Sequence, residues 1–292
     1  MKVNVITSAW MFKDRRFPLA VLAATNHFPY PLLHRHEFNE LVIITHGRGR
    51  HRSDKDDYPI TAGDVFLLHG NMQHGYADVQ ELNLVNIGFK PRQLGLPLAD
   101  LGDLPGYQLL FHVEPRLRQR AKFGDRLHLT TEQLAEAGRL VAQLELELAK
   151  RPPGYRFAAR THLMQLITYL GRCYTPPTRL VSGGGSQLSE VLSYLDRHYR
   201  EPITVAKLLP IARMSESTLL RAFQRVFQRS PIDYLIRLRL QKARELLADP
   251  ELRITDVALA CGFNDSNYFT RQFRSVTNQS PRDFRRALLK NG

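Results

Sequence analysis

Ser217-Thr-Leu-Leu-Arg-Ala-Phe-Gln-Arg-Val-Phe-Gln-Arg-Ser-Pro-Ile-Asp233 and Asn267-Tyr-Phe-Thr-Arg-Gln-Phe-Arg-Ser-Val-Thr-Asn-Gln-Ser-Pro-Arg-Asp283 are one pattern written twice. At an offset of 50, Leu219 falls on Phe269, Arg221 on Arg271, Phe223 on Phe273, Val226 on Val276 and Ser230-Pro231 on Ser280-Pro281. A short helical stretch and a turn precede each copy, Thr204–Met214 in the first and Thr255–Phe263 in the second. Short helix, turn and basic-aromatic helix, repeated in tandem, predict two helix-turn-helix units. Between them, Pro231–Asp249 reads as one continuous helix with Leu235, Leu238, Ala243, Leu246 and Leu247 as its apolar stripe. Nineteen helical residues span about 28 Å, against about 34 Å between successive major grooves on one side of B-DNA. A rigid spacer of that size favours a reader of double-stranded DNA over a generic helical bundle.

The run Ile254-Thr-Asp-Val-Ala-Leu-Ala-Cys-Gly-Phe-Asn-Asp-Ser-Asn-Tyr-Phe-Thr-Arg-Gln-Phe-Arg274, closed by Ser280-Pro281-Arg-Asp-Phe284, resembles the DNA-binding domain of AraC-type transcription regulators. The likeness covers residues 186–288. The first unit departs from it, with Leu209-Pro210 where the family usually has Ala and Arg213 where it often has Gly. A proline there removes a backbone donor and is expected to shorten or kink the helix.

On the recognition helices, Ser217, Leu220 and Arg221 share one face, and Asp265, Asn267 and Arg271 are the counterparts in the second unit. Arg can bond guanine in bidentate fashion, Asn can do so with adenine, and Asp can accept from cytosine. Arg225, Arg229 and Arg274 are read as phosphate contacts that position without specifying. Phe223, Phe273, Leu219 and Phe269 are expected in the core. Asp256 matches an acidic position that the resemblance implicates in touching the sigma subunit of RNA polymerase; complementing its helix dipole is the plainer alternative.

Upstream, short apolar or alternating runs at Phe38–Thr45, Tyr58–Ile60, Val65–Leu68 and Asn83–Phe89 predict strands. Turn signals separate them at His46-Gly-Arg-Gly49, Ala62-Gly63-Asp64 and Gly70-Asn71. This spacing suggests a small barrel or jelly roll, and with His34-Arg-His36 and Gly63-Asp64 it looks like a cupin, the usual effector domain of sugar-responsive AraC-type regulators. His34, His36 and Glu40 share strand parity, and His74 completes the set. Such groups can hold Zn, Fe or Mn, or hydrogen-bond the hydroxyls of a sugar without metal. Direct effector binding is the favoured reading, with no metal and no other cofactor assigned. Trp10, the only tryptophan, suits stacking on a sugar ring, but a core role is preferred for it. His36–Ile43, Pro59–His69 and Leu84–Phe89 look most like the rhamnose-responsive members, which implies an activator and rhamnose as the first effector to expect.

Residues 91–128 are irregular and are expected to cover the mouth of the barrel. Two helices follow, Glu132–Lys150 and Arg156–Tyr174, broken at Arg151-Pro-Pro-Gly154. The stripe Leu134, Val141, Leu144 and Leu148 is expected to form a homodimer interface, since the relatives dimerise there. Thr175-Pro-Pro and Ser182-Gly-Gly-Gly-Ser186 predict a flexible linker.

The fold class is thus α+β. An N-terminal cupin-like β-barrel with a helical hairpin (1–174) should meet, through a linker (175–186), an all-α tandem helix-turn-helix domain (187–292). The formal net charge of +13 suits a polyanion partner. Residues 186–292 hold 18 Lys/Arg against 11 Asp/Glu and the remainder 23 against 17, so charge alone does not localise DNA binding. Cys173 and Cys261 lie in different predicted domains, which argues against a disulfide framework. With no apolar run of membrane length and no signal layout, no membrane association and a reducing cytoplasm are expected. A competing class is a metal-dependent cupin enzyme carrying a DNA-binding module. No nucleophile triad, phosphate loop or acid–base pair appears beyond the histidine cluster, so no catalytic residue is assigned.

Overall fold

The computed structural model describes residues 4–25, 33–53, 57–113, 127–173 and 185–290. The linker expected at 175–186 lies almost wholly outside them. The chain divides into two compact units, Met1–Ser189 and Glu190–Gly292.

The first unit contains β1 (Asn4–Ile6), β2 (Leu19–Ala24), β3 (His34–His36), β4 (Asn39–Ser53), β5 (Asp57–Thr61), β6 (Asp64–Leu68), β7 (His74–Phe89) and β8 (Leu127–His128). The hydrogen-bonded path runs β1-β3-β7-β4-β6-β8, with β2 also on β7 and β5 also on β4. Among the described residues this path does not return on itself. The expected barrel is therefore an open, bent sheet.

Two long central strands explain the bend. The first part of β4 pairs with β6 (Glu40↔Leu68 to Ile43↔Val65), and its second part with β5 (Arg48↔Thr61 to Arg52↔Asp57). Register shifts against β7 fall between Ile44 and Arg50. The glycines at 47 and 49, read above as a turn, lie inside this single strand. Gly47 has φ +74, and a Cβ there would stand 2.2 Å from the Glu81 carbonyl oxygen. A glycine with positive φ in mid-strand marks a bulge, which bends the strand instead of ending it.

Alternation along the bent sheet fills both faces. Leu41, Ile43, Val65, Leu67, Ile87 and Phe89 belong to one apolar cluster. Val42, Ile44, Phe66, Leu68, Leu82 and Leu84 belong to another, on the opposite face. All five residues of β6 are buried.

The first cluster is covered by α4 (Thr131–Lys150) and α5 (Tyr155–Cys173). These follow three short helical elements: α1 (Ser8–Met11), α2 (Pro91–Leu94) and α3 (Pro105–Gln108). Thr130 caps α4 in a reciprocal box with Gln133. Leu94, Tyr107, Leu110 and Phe111 join the same cluster, so the described part of 91–113 packs with the helices and does not cover the sheet's mouth. Leu144 is fully buried there, Val141 nearly so, and Leu134 and Leu148 pack against them. The stripe expected at a dimer interface thus serves its own unit's core, because a sheet apolar on both faces needs a full helical layer to cover it.

In the second unit lie α6 (Gly185–His198, which begins just before the division), α7 (Val205–Ala212), α8 (Glu216–Phe227) and α9 (Pro231–Leu246). They are followed by α10 (Ile254–Ala260), α11 (Ser266–Thr277) and α12 (Pro281–Lys290). The repeat is visible in the caps. Ser230 Oγ accepts from the Asp233 amide and Ser280 Oγ from the Asp283 amide, each at 3.1 Å. The preceding helices both end in a left-handed residue, Gln228 and Asn278, each with φ 58. Leu219, Phe223, Phe269 and Phe273 are fully buried. The spacer α9 has 16 residues, about 24 Å, because the chain turns at Leu247 before the expected end.

Pro210 stands inside α7, which runs through it to Ala212. The turn that follows separates the two units. Arg213 takes φ 49 and is exposed, whereas its counterpart Gly262 takes φ +82. A Cβ at Gly262 would stand 2.8 Å from the carbonyl oxygens of both Tyr199 and Arg200. Arg239 pins the same segment, Nε donating to Tyr199 O at 2.7 Å and Nη2 to Glu201 O at 2.8 Å. Beside this turn, Cys261 is buried, and burial pushes its thiol up to about 11 against a smaller pull from Arg200.

Gly262→Ala should therefore destabilise the protein by more than about 2 kcal/mol, from left-handed strain plus the carbonyl clash. Arg213→Gly should be neutral or stabilising by up to about 1 kcal/mol, since it relieves left-handed strain at an exposed position. Urea unfolding of both variants measures the difference; equal effects would show that the two turns are equivalent.

Candidate functional site

β3 hydrogen-bonds to β1 on one side (Asn4↔His34 to Ile6↔His36) and to β7 on the other (His34↔His74). That register brings His34, His36 and His74 together beside Glu40. Ring centroids are 4.2 Å apart for His34–His74 and 5.1 Å for His36–His74. His36 and His74 are fully buried, and Glu40 is 5% exposed.

Both buried imidazoles are fixed from behind. His36 Nδ1 donates to Phe38 O at 2.7 Å, and His74 Nδ1 to Met72 O at 3.3 Å. Each Nε2 then faces the same oxygen, Glu40 Oε2, at 3.4 Å from His36 and 3.5 Å from His74. These distances are long for charge-assisted hydrogen bonds, which run about 2.7–2.9 Å. Burial acts to raise the Glu40 pKa, but the flanking His36 and His74 hold it well below the usual carboxylate range. Glu40 therefore stands as a buried carboxylate.

In front of it lies a cavity of about 570 Å³, lined by Trp10, Leu22, His34, Glu40, Tyr76 and Asn86 among others. That volume suits a small molecule. The N-terminal segment contributes directly, through Val5, Ile6, Thr7, Trp10 and Met11. Trp10 is 68% exposed, so its expected core role is corrected: it is too open to the cavity and solvent to be packed.

Tyr76 shares strand parity with His74 and was within reach of that argument, but the sequence reading missed it; Asn86 lies beyond the register shifts of β7, where parity does not carry. His51 lies at the back, its ring 5.7 Å from His74 and 5.5 Å from Tyr76. No parity argument reaches His51, because an extra residue between Ile44 and His46 shifts the alternation of β4 before it.

In the second unit, α8 and α11 carry the expected base-reading residues. Ser217, Arg221, Arg225, Asn267, Arg271 and Arg274 are exposed, and Leu220 is half-buried. In both helices the residue three positions earlier braces the key arginine. Arg221 Nη2 donates to Thr218 Oγ1 at 3.5 Å, and the Arg271 guanidinium lies 5.9 Å from the Tyr268 ring centroid. Asp265 differs from the rest. It is the N-cap of α11, its carboxylate accepting from the Asn267 amide at 2.8 Å, as Ser215 caps α8. The offset of 50 aligns Arg274 with exposed Gln224.

Asp256 is exposed in the first turn of α10, touching only its neighbour Thr255 through a 3.4 Å hydrogen bond. Leu259, on the same short helix, is 61% exposed. No helix among the described residues is long and apolar enough to cross a membrane.

Two family models match the chain: a helix-turn-helix domain over residues 209–287, and an AraC-like ligand binding domain over residues 18–167. The transcriptional activator RhaR of Shigella dysenteriae is 31% identical over 253 residues, covering 86% of each chain. RhaR of Escherichia coli K12 is 30% identical over 267 residues, covering 90% of this chain and 91% of the relative. Among solved structures, a probable AraC family transcriptional regulator from Rhodopseudomonas palustris is 30% identical, with a TM-score of 0.33. It covers 35% of this chain and 96% of its own.

The geometry at Asp265 makes a specific prediction. Asp265→Ala should cost about 1 kcal/mol of stability through the lost cap, while Asp265→Ser should retain most of it. Neither should alter which bases are preferred at the bound site. A changed preference in the Ser variant, measured by selection from random DNA, would make Asp265 a base reader instead.

Proposed function

The chain belongs to the AraC family of transcription regulators, and from that premise we propose that it is a homodimeric, cytoplasmic activator switched by a small carbohydrate, rhamnose first among them. The supporting observation is the cavity in front of Glu40, which places hydrogen-bonding groups and an open tryptophan ring around a space of sugar size. His34 and Glu40 stand on its wall, and His36 and His74 stand behind Glu40. Trp10 offers an aromatic face to the apolar side of the ring. The competing reading of a cupin enzyme finds no support in the relatives, which are transcriptional activators.

DNA binding falls to α8 and α11. Ser217, Arg221, Asn267 and Arg271 meet base edges; Arg225, Gln224 and Arg274 meet phosphates. Leu220 offers an apolar contact to a thymine methyl group. Asp265 acts as the N-cap of α11. Asp256 and exposed Leu259 on α10 form the surface offered to the sigma subunit of RNA polymerase. Dimerisation uses the outward side of α4 and α5, where Leu146 is 53% and Phe157 76% exposed, since the inward stripe is spent on the core.

Arg271→Ala should cost about 1–3 kcal/mol on the operator, far less on random DNA, and relax preference at one or two base pairs. Arg274→Ala should weaken both DNAs alike and lower the salt slope by about one counterion. Quantitative binding at several salt concentrations separates the two roles; a uniform loss for Arg271→Ala would reduce it to a phosphate clamp.

For the effector, calorimetric titration of monosaccharides into the full chain should show saturable binding. His34→Ala should weaken it by about 1–3 kcal/mol through an unpaired hydroxyl. Unchanged affinity would move the sugar elsewhere.

A further inference from the structure

His36, Glu40 and His74 present three donor atoms within 4.8 Å of one another, all on buried residues. A backbone carbonyl can only accept, so the bonds to Phe38 O and Met72 O require the proton on each Nδ1. Each Nε2 is then left facing the same carboxylate oxygen, Glu40 Oε2. His36 Nε2, His74 Nε2 and Glu40 Oε2 are buried and make no hydrogen bond. Three buried polar atoms that converge without a hydrogen bond are costly in a low-dielectric interior.

A cation resolves it. With metal–ligand bonds of about 2.0–2.1 Å, the ligands of a tetrahedral site stand roughly 3.4 Å apart. The observed Nε2–Oε2 separations are 3.4 and 3.5 Å. The carbonyl bonds behind the rings are the outer support that fixes tautomer and orientation in histidine metal sites. Two imidazoles and one carboxylate suit a divalent transition ion such as Zn²⁺, Fe²⁺ or Mn²⁺ over Ca²⁺ or Mg²⁺. Three protein ligands leave at least one position open, and Glu40 puts it on the cavity side.

We propose that His36 Nε2, His74 Nε2 and Glu40 Oε2 hold a divalent transition metal ion, and that neighbouring hydroxyls of the effector occupy its open positions. The second half rests on the sugar reading above; the first does not. The site amends the sequence reading, in which these side chains hydrogen-bond the effector without metal. His34, on the cavity wall against the His74 ring, is left outside the ligand set.

The test uses the untagged full chain, stripped with chelator and titrated with Zn²⁺ or Co²⁺ alone. One equivalent should bind, Co²⁺ should give visible d–d absorption of a low-coordinate N/O site, and the metal should raise the melting temperature. Glu40→Gln, which preserves shape, should weaken metal binding at least about tenfold, as should His74→Ala; His34→Ala should leave it intact. Circular dichroism checks that each variant folds. Calorimetry with sugar is then run on stripped and loaded protein. Tighter sugar binding to the loaded form supports the whole proposal. Failure of the folded wild type to bind either ion overturns the metal site, whatever the sugar does. Equal sugar affinity in both forms overturns the coupling, while leaving the site and the sugar pocket in place. Metal without any sugar binding overturns the sugar reading alone.

Discussion

A carboxylate inside an apolar sheet is the constraint on which the first unit turns. Glu40 shares its face of β4 with Val42 and Ile44, among Phe66, Leu68 and Leu84. An isolated buried charge there is untenable, so its neighbours must come to it. They come from two other strands: His36 from β3 and His74 from β7. β3 is only three residues long, and its place depends on β1 along one edge and the His34↔His74 pair along the other. The N-terminal segment is thereby drawn over the cavity, because β1 is followed at once by the short helix that carries Trp10.

What could be read from the chain follows the reach of local rules. The tandem unit was legible because its signals are local: a Ser-Pro pair starting each exit helix, arginines and aromatics at helical spacing, and apolar residues that prove to be core. The grouping of His34, His36 and Glu40 was legible because alternation is reliable over a few residues. It fails where the backbone breaks the period. The bulge at Gly47 looks identical to a turn in sequence, since both need a glycine with positive φ. That ambiguity hid the length of β4.

A second kind of failure concerns faces that compete for the same residues. The stripe Leu134, Val141, Leu144 and Leu148 is equally consistent with a partner subunit or with the molecule's own sheet. Only the sheet's first apolar cluster, the one the two helices cover, decides it, and that cluster comes from strands scattered across the chain. Trp10 is similar: composition favours burying a lone tryptophan, and only the cavity beside it explains its exposure. In the DNA-binding unit, Asp265 shows how one residue type serves two rules. A carboxylate before a helix is both an N-cap and a candidate base contact, and the 2.8 Å bond to the Asn267 amide shows it serving as the first.

The buried thiol of Cys261 bears on a different kind of signal. A sulfur reacts with peroxide or disulfides as the thiolate, and only when an oxidant can reach it. Cys261 is enclosed, and its thiol titrates near 11, so at neutral pH only a vanishing fraction is ionised. Sitting immediately before the glycine turn, it fills space as a small apolar side chain. The DNA-reading unit, whose only cysteine this is, is thereby insulated from oxidative chemistry in its surroundings.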